Sequence, residues 1–175
     1  QEKGMIRPAS PADLTALHAL IHRAYRGDSA KAGWTHEADL LDGQRTDPAA
    51  LTAMLADPDQ HLLVAEDAGV LTGCVSVTRK DEGARGYLGL LTVDPLLQAA
   101  GLGRRLIAAA EDCARDFGAS HMEMTVIGQR VELIAWYERR GYAVTGERRP
   151  FPLDDPRFGL PRTRDLAFVV LEKAL

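Results

Sequence analysis

The sequence predicts an α/β fold in which a mixed sheet of about six strands carries helices on both faces. Residues 62–66 and 70–79 are short apolar or alternating runs joined by an Asp-Ala-Gly turn, which predicts an antiparallel hairpin. Residues 87–93 are nearly all apolar, as is typical of a central strand buried on both faces. From residue 101 onward helical and strand patterns alternate, so the predicted element order is ααβββαβαββ.

Capping residues mark the helices of the N-terminal half. Ser10 precedes a proline, and Asp13 stands where a capping box needs an acid, so a helix is predicted over 11–26. A short helical piece is expected over 38–41. A further helix is predicted to begin at Asp47-Pro48 and to stop before the next Asp-Pro pair.

Glycines delimit the elements of the C-terminal half. The clearest amphipathic helix spans residues 101–117, and Gly118 is placed to end it. A second helix over 131–140 is closed by Gly141. The remaining patterns predict strands at 121–126, 142–148 and 165–171, with a proline-rich loop before the last of them.

Composition limits the classes of function. The chain has 175 residues, 46% hydrophobic and 26% charged, which is the make-up of one globular domain, placed at residues 5–175. A net charge of −4 without a basic run makes nucleic acid a poor partner. No apolar run is long enough to cross a bilayer, and no signal-peptide core is evident, so we expect neither membrane insertion nor secretion. Cys74 and Cys113 match no metal-ligand spacing, so a reducing cytoplasm and no metal are expected.

A glycine pair follows the buried strand and carries the most informative chemistry. Gly101 and Gly103 open a helix, and they have no side chain to keep a ligand from the backbone. The first amides of a helix lack intrahelical partners, so this turn suits a phosphate. Arg104 and Arg105 stand in the first turn, where the helix dipole disfavours cations unless an anion docks there. The alternative is that both arginines are simply solvated.

Two other phosphate-binding loops are excluded at this turn. A P-loop requires Gly-Lys-Ser/Thr, which is absent. A dinucleotide-binding turn requires a third glycine three residues after Gly103, where Leu106 stands instead.

Residues 98–103 then carry a specific resemblance. Their sequence, Gln-Ala-Ala-Gly-Leu-Gly, resembles the Gln/Arg-x-x-Gly-x-Gly/Ala acetyl-CoA signature of the GNAT superfamily of N-acetyltransferases. The preceding Leu-Thr-Val-Asp-Pro is similar to the exit of that family's fourth strand. Residues 133–142 resemble the family's aromatic-Tyr-x-x-x-Gly-aromatic segment.

The resemblance implies a sheet of six to seven strands whose two central strands splay apart and hold acetyl-CoA as a cosubstrate. The amide of Val93 would face the thioester carbonyl, and the pantetheine arm would pair with strand backbone like an added strand. The cofactor-binding residues implied in this way are Leu91, Val93, Gln98, Ala99, Ala100, Gly101, Leu102, Gly103, Arg104 and Arg130. In many members Asn stands where Arg130 is, so Arg130 can contact a phosphate or the substrate, or be a plain surface residue.

Tyr137 is the catalytic residue that the resemblance implies. It aligns with the family's tyrosine, which is placed to protonate the leaving thiolate. The alternative is a core aromatic beside Trp136. The general base is not identified by the sequence, and relay of a proton through water is an alternative to a dedicated base. Candidate bases are Glu37, Glu66, Asp81, Glu82, His121 and Glu123.

The acceptor site is expected in two segments that line it in the family. Residues 26–47 include Trp34 and Glu37, which can hold an amine by cation–π and charge contacts, although Trp34 can also be a loop anchor. Residues 149–164 are rich in proline and arginine. Those arginines can bind an acceptor carboxylate or contribute to a homodimer contact.

These features predict an N-acetyltransferase that moves the acetyl group of acetyl-CoA to a primary amine of a small molecule. One alternative is a non-catalytic module that binds acyl-CoA and regulates a partner. Another is acetylation of protein N-termini or lysines, which requires a groove open enough for a peptide.

Overall fold

A seven-stranded mixed sheet organises the chain, in a computed structural model that describes residues 4–25, 41–42, 47–96, 101–150, 160–161 and 167–175. The sheet order is β1-β3-β4-β5-β6-β9-β7, and β2 pairs with β8 in a separate two-stranded sheet. The strands are β1 Met5–Pro8, β2 Leu41–Asp42, β3 Gln60–Asp67, β4 Val70–Lys80, β5 Arg85–Val93, β6 His121–Ile127, β7 Ala143–Pro150, β8 Leu160–Pro161 and β9 Ala167–Ala174.

In the described part of the chain, four α-helices lie on the two faces of this sheet, as the sequence predicts. They are α1 Leu14–Tyr25, α2 Pro48–Ala56, α3 Leu102–Asp116 and α4 Val131–Arg139. The helix predicted at Ser10 begins with one 3₁₀ turn, Pro11–Asp13, in which the Asp13 carboxylate accepts the Ser10 amide at 2.8 Å. Asp47 caps α2 by accepting the Ala50 amide at 2.7 Å.

Two apolar clusters hold the helices to the sheet. The first lies between α3, α4 and the sheet and is centred on residues such as Leu106, Met122 and Leu171, each fully buried. The second joins α1 and α2 to the other face through residues such as Leu17, Leu51 and Val64. Side chains of β6 therefore alternate, with Met122 and Met124 facing α3 and Glu123 and Thr125 facing away from it.

Two expectations about elements are corrected. The helical piece expected over 38–41 is wrong at Leu41, which pairs with Pro161 in β2 and β8, while residues 38–40 lie outside the described residues. Strand β1 is absent from the predicted order, yet it forms one edge of the sheet by pairing Met5 with Glu66 and Pro8 with Leu63. Among the described helices, none combines the length and apolarity needed to cross a membrane.

The two central strands separate, as the resemblance implies. The parallel ladder between β5 and β6 contains only Arg85–Tyr87 with His121–Glu123. Beyond it β5 stays paired with β4 as far as Val93, and β6 stays paired with β9 as far as Ile127. A cleft therefore opens between Leu88–Val93 and residues 124–127, and its closed end lies at Tyr87 and Glu123.

Candidate active site

The edge of β5 that faces this cleft presents backbone groups. The Asp94 amide donates to the Thr72 carbonyl at 2.9 Å, which makes that pair a hydrogen-bonded one in the antiparallel ladder. The neighbouring pair, Gly73 with Val93, is then a non-hydrogen-bonded pair. The N–H and C=O of Val93 consequently point away from β4, toward the cleft.

A β-bulge bends β5 just before that edge. The register with β4 shifts between Cys74 and Ser76, opposite Leu90, whose φ of +50° lies in the left-handed region that non-glycine residues rarely adopt. The Leu90 carbonyl is held by the Thr92 hydroxyl at 2.9 Å and approached by the Cys74 thiol at 3.4 Å. These contacts fix a bend that carries β5 away from β6.

The first turn of α3 lies past the end of β5. Gly101 is its N-cap, with φ +80°, so the position favours glycine. The first intrahelical bond runs from the Arg105 amide to the Gly101 carbonyl at 3.3 Å, so the amides of residues 102–104 precede it and have no partner within the helix. The Arg104 guanidinium lies over Gly101, 3.4 Å from the point that a Cβ there would occupy. Gln98, Ala99 and Ala100 lie outside the described residues.

Two expectations about this turn are revised. Arg105 does not face the turn's open side, because its guanidinium donates to the Gly4 carbonyl at 3.1 Å and ties α3 to the N-terminal segment. Gly103 is buried, and a Cβ on it would point inward, 3.3 Å from two ring carbons of Trp136 and 3.9 Å from Val93 Cγ2. The absence of a side chain at Gly103 therefore makes room for Trp136 rather than for a ligand.

Tyr137 lies in the core cluster beneath α3, with 6% of its surface exposed. Trp136 meets it edge-on at 5.2 Å between ring centroids, and Tyr142 does so at 6.1 Å. Tyr137 is therefore a core aromatic beside Trp136, and its role as proton donor stays a prediction. Its ring is fixed on two sides by aromatic neighbours.

A buried charged group anchors Tyr142 in turn. Its hydroxyl donates to Glu111 at 2.9 Å, and Lys173 Nζ lies 3.0 and 3.1 Å from the two oxygens of the same carboxylate. Burial, together with the negative charge of Glu111, raises the pKa of Tyr142 well above its ordinary value of 10. The phenol therefore stays protonated and holds α3, β9 and the α4–β7 junction together.

Arg130 is 8% exposed, so the plain-surface alternative for it is wrong. It precedes α4 at the end of the turn after β6, where its amide donates to the Ile127 carbonyl at 2.9 Å and its carbonyl accepts the Ile134 amide at 3.0 Å. The Arg130 side chain is therefore buried just past the C-terminal end of β6, and its contact with a phosphate or the substrate stays a prediction.

The structure separates the candidate bases. Glu66 is paired with Arg7 at 2.7 Å on the β1 side of the sheet, away from the cleft. Glu123 is at the closed end of the cleft, but Arg149 lies 2.7 Å from it, with Arg85 at 3.6 Å and Lys80 at 3.7 Å. The Glu123 carboxylate is therefore engaged in ion pairs with three cations.

Three other candidates precede β5 or open β6. Asp81 is 3.5 Å from Arg85, and Glu82 is exposed in the same turn. His121 Nδ1 is 2.9 Å from the Ser120 hydroxyl. Glu37 and Trp34 lie outside the described residues.

A hydroxyl pair at the closed end of the cleft was not predicted from the sequence. The Tyr87 hydroxyl and Thr125 Oγ1 are 2.6 Å apart, just beyond the last ladder pair of β5 and β6. Either oxygen can donate in this bond. Only the strand register brings the two residues together, so no local sequence signal could have found them. In the part of the chain that the structure describes, no group of three His, Cys, Asp or Glu side chains could hold a metal ion.

Comparison with known proteins identifies a matching family and several relatives. The family model described as the acetyltransferase (GNAT) family matches residues 15–142. An IAA acetyltransferase of Azospirillum brasilense is 33% identical over 130 residues, which cover 74% of this chain and 77% of that protein. The N-alpha-acetyltransferase RimI of Mycobacterium tuberculosis is 30% identical over 118 residues, covering 66% of this chain and 73% of the relative.

Solved structures share the fold. The structure of yncA from Salmonella typhimurium with its cofactor acetyl-CoA superposes with a TM-score of 0.73 at 23% identity, covering 99% of this chain and 95% of that one.

Proposed function

Because the chain belongs to the acetyltransferase (GNAT) family and is an acetyl-CoA-dependent acetyltransferase, we propose that it acetylates the primary amine of a small molecule by direct attack. The observation that carries the proposal is the succession of two features: a strand edge at which the Val93 backbone groups point away from β4, and a helix N-terminus just beyond it. Together they offer an extended hydrogen-bonding edge that ends in an anion site.

The residues at this edge fit the chemistry of acetyl-CoA. The amides of residues 102–104 and the Arg104 guanidinium suit the diphosphate, and we assign Gln98, Ala99, Ala100 and Gly101 to the same turn by family resemblance. Leu91 and Val93 offer strand backbone to the pantetheine arm, which is a chain of amides. Arg130 would bind a phosphate or the acceptor at the far side of the cleft.

When bound, acetyl-CoA supplies a thioester whose carbonyl carbon an amine can attack. The Val93 N–H would donate to the thioester oxygen and stabilise the negative charge that develops there. A free amine has a pKa near 10, so the acceptor must give up a proton before or during attack. We assign that proton to a water relay, because ion pairs with three cations already engage the Glu123 carboxylate.

Tyr137 would return a proton to the departing sulfur. The C–N bond forms, the C–S bond breaks, and the thiolate takes the phenolic proton, which solvent then replaces. A thiol with the ordinary pKa of about 8.5 is mostly protonated at neutral pH, so the departing thiolate takes up a proton. The two aromatic neighbours of Tyr137 support this role, because they fix its ring in one orientation.

A small acceptor is favoured by one relative, whose name, IAA acetyltransferase, refers to a small molecule. The name of the other relative refers to N-alpha acetylation, so a peptide is the second candidate acceptor. Trp34 and Glu37 remain our proposed contacts for the acceptor amine. Membership in an acetyltransferase family supports catalysis over the alternative of a non-catalytic acyl-CoA-binding module.

Release of free thiol from acetyl-CoA tests the proposal, measured across a panel of small amines and a matched set of short peptides. We expect turnover with at least one class of small amine and little with peptides. Turnover confined to peptide N-termini would replace the small-molecule acceptor. Binding of acetyl-CoA without turnover on any amine would contradict the proposed function.

Tyr137→Phe tests the proton donor in the same assay. We expect kcat to fall about 100-fold while KM for acetyl-CoA stays within about two-fold, because only the proton is lost. If Tyr137→Phe keeps the wild-type kcat at every pH between 6 and 9, Tyr137 has no part in the mechanism.

A further inference from the structure

One contact joins the anion turn to the α4 helix that carries Tyr137. Trp136 is half-buried, and the outer carbons of its ring, Cζ2 and Cη2, lie 3.3 Å from the point that a Cβ on Gly103 would occupy. Val93, at the end of β5, contributes Cγ2 to the same point at 3.9 Å. Strand β5, helix α3 and helix α4 therefore meet at Gly103.

Two neighbouring side chains pack on the indole at this junction. The Arg140 guanidinium lies 5.0 Å from its ring centroid, within the range of a cation–π contact. The Tyr137 ring packs on it edge-on, with an interplanar angle of 77°. Carbon–carbon contacts are most favourable at about 3.5–4.0 Å, so a methyl group at residue 103 would displace either the indole or the first turn of α3.

We infer that Trp136 is a positioning residue, which sets the place of the coenzyme-binding turn relative to Tyr137, and that residue 103 is glycine because of Trp136. This inference rests on the proposed function, since it assigns the turn to acetyl-CoA. The acetyl-CoA signature that the chain resembles accepts either glycine or alanine at this position. In this chain an alanine Cβ would lie 3.3 Å from the indole, so the ring or the turn would have to shift by a few tenths of an ångström.

The consequence is a coupling between two parts of the site. The amides of residues 102–104 would hold the diphosphate, and Tyr137 would protonate the sulfur at the other end of the pantetheine arm. Trp136 contacts both Gly103 and Tyr137, so it fixes the distance between the anion turn and the proton donor. A shift of the turn by a few tenths of an ångström would weaken coenzyme binding without changing any group that touches the coenzyme.

A double-mutant cycle on Gly103 and Trp136 tests the inference, with the Kd for acetyl-CoA measured by calorimetry. Gly103→Ala should raise Kd about five-fold in the wild-type background. In the Trp136→Phe background, which lacks the outer ring carbons but keeps an aromatic ring against Tyr137, the same change should leave Kd within about two-fold. Glu138→Ala, on the exposed face of α4, is the control for a general effect of substituting this helix.

Two results would overturn the inference. If Gly103→Ala raises Kd by the same factor in both backgrounds, the methyl group obstructs the diphosphate itself and Trp136 has no part in it. If Gly103→Ala leaves Kd unchanged in the wild type, the indole does not constrain the turn. Trp136→Leu repeats the cycle should the Phe variant fail to fold. Absence of acetyl-CoA binding in the wild type would instead contradict the proposed function.

Discussion

Removing the charge of Glu111 should destabilise the protein strongly, although the residue is remote from the anion turn. The Glu111 side chain is 7% exposed and the Lys173 side chain 25%, with Lys173 Nζ 3.0 Å from the carboxylate. Glu111→Gln keeps an acceptor for the Tyr142 hydroxyl but leaves the lysine without its counter-charge. Breaking a buried pair costs about 3–5 kcal/mol, and the partial exposure of Lys173 lowers our expectation to about 2–3 kcal/mol.

Thermal unfolding measures this loss. For a chain of this size, each kcal/mol shifts Tm by about 2–4 °C, so Tm should fall by about 5–10 °C. Asp112→Asn is the matched control, because it removes the neighbouring carboxylate, which is 75% exposed and pairs with Arg115 on the same helix. That variant should shift Tm by no more than about 2 °C.

A triple variant separates burial of an unpaired charge from loss of packing. Glu111→Leu, Tyr142→Phe and Lys173→Met together remove every polar group of the cluster, so no group is left without a partner. We expect this variant to recover most of the stability that Glu111→Gln loses. A single variant that melts within about 2 °C of the wild type would refute the reasoning, as would a triple variant less stable than the single one.

Three further predictions concern pH and the cleft. Hydrogen bonds from Arg7 lower the pKa of Asp13 to about 2, so this carboxylate stabilises the fold above pH 4, and the stabilisation is lost as pH falls toward 2. Asp13→Asn should flatten the dependence of the free energy of unfolding, measured in urea, on pH between 4 and 2. Because the pKa of Tyr142 is raised in the folded protein, its phenol stays protonated at a pH at which the unfolded chain's phenol ionises. The stability of the wild type should therefore decline above pH 10, and that of Tyr142→Phe should decline less. We further propose that the hydroxyl bridge between Tyr87 and Thr125, at the closed end of the cleft, lies on the acceptor side. Tyr87→Phe should then raise KM for the acceptor several-fold and leave Kd for acetyl-CoA unchanged in calorimetry. Equal loss of both affinities would contradict this role.

Strong local signals made most of the fold predictable. Residues 87–93 carry a continuous apolar run, and the helix over 101–117 has both a glycine start and a glycine stop, so β5 and α3 are confirmed nearly to the residue. Strand β1 lacked such a signal, because it has only four residues and ends in proline. Leu41 was assigned to a helix because its pairing with Pro161 is non-local, and local propensity carries no information about it.

The candidate site divides in the same way. The anion turn and Tyr137 were predicted as site features because each belongs to a contiguous motif. The bulge at Leu90 and the bridge between Tyr87 and Thr125 depend on strand register, which sequence alone leaves undetermined. The inward direction of Gly103 was missed for a related reason, since the position of Trp136 depends on how α4 packs on α3.

Amide chemical shifts during titration with acetyl-CoA test the central claim most directly. We expect the ¹H–¹⁵N resonances of Leu102, Gly103 and Arg104 to move downfield and to saturate with the same Kd that calorimetry gives, because their N–H groups would donate to the diphosphate. ADP should reproduce these shifts, whereas pantetheine should move Val93 and leave the turn unchanged. Saturable binding of acetyl-CoA with the amides of residues 102–104 unmoved would contradict the account.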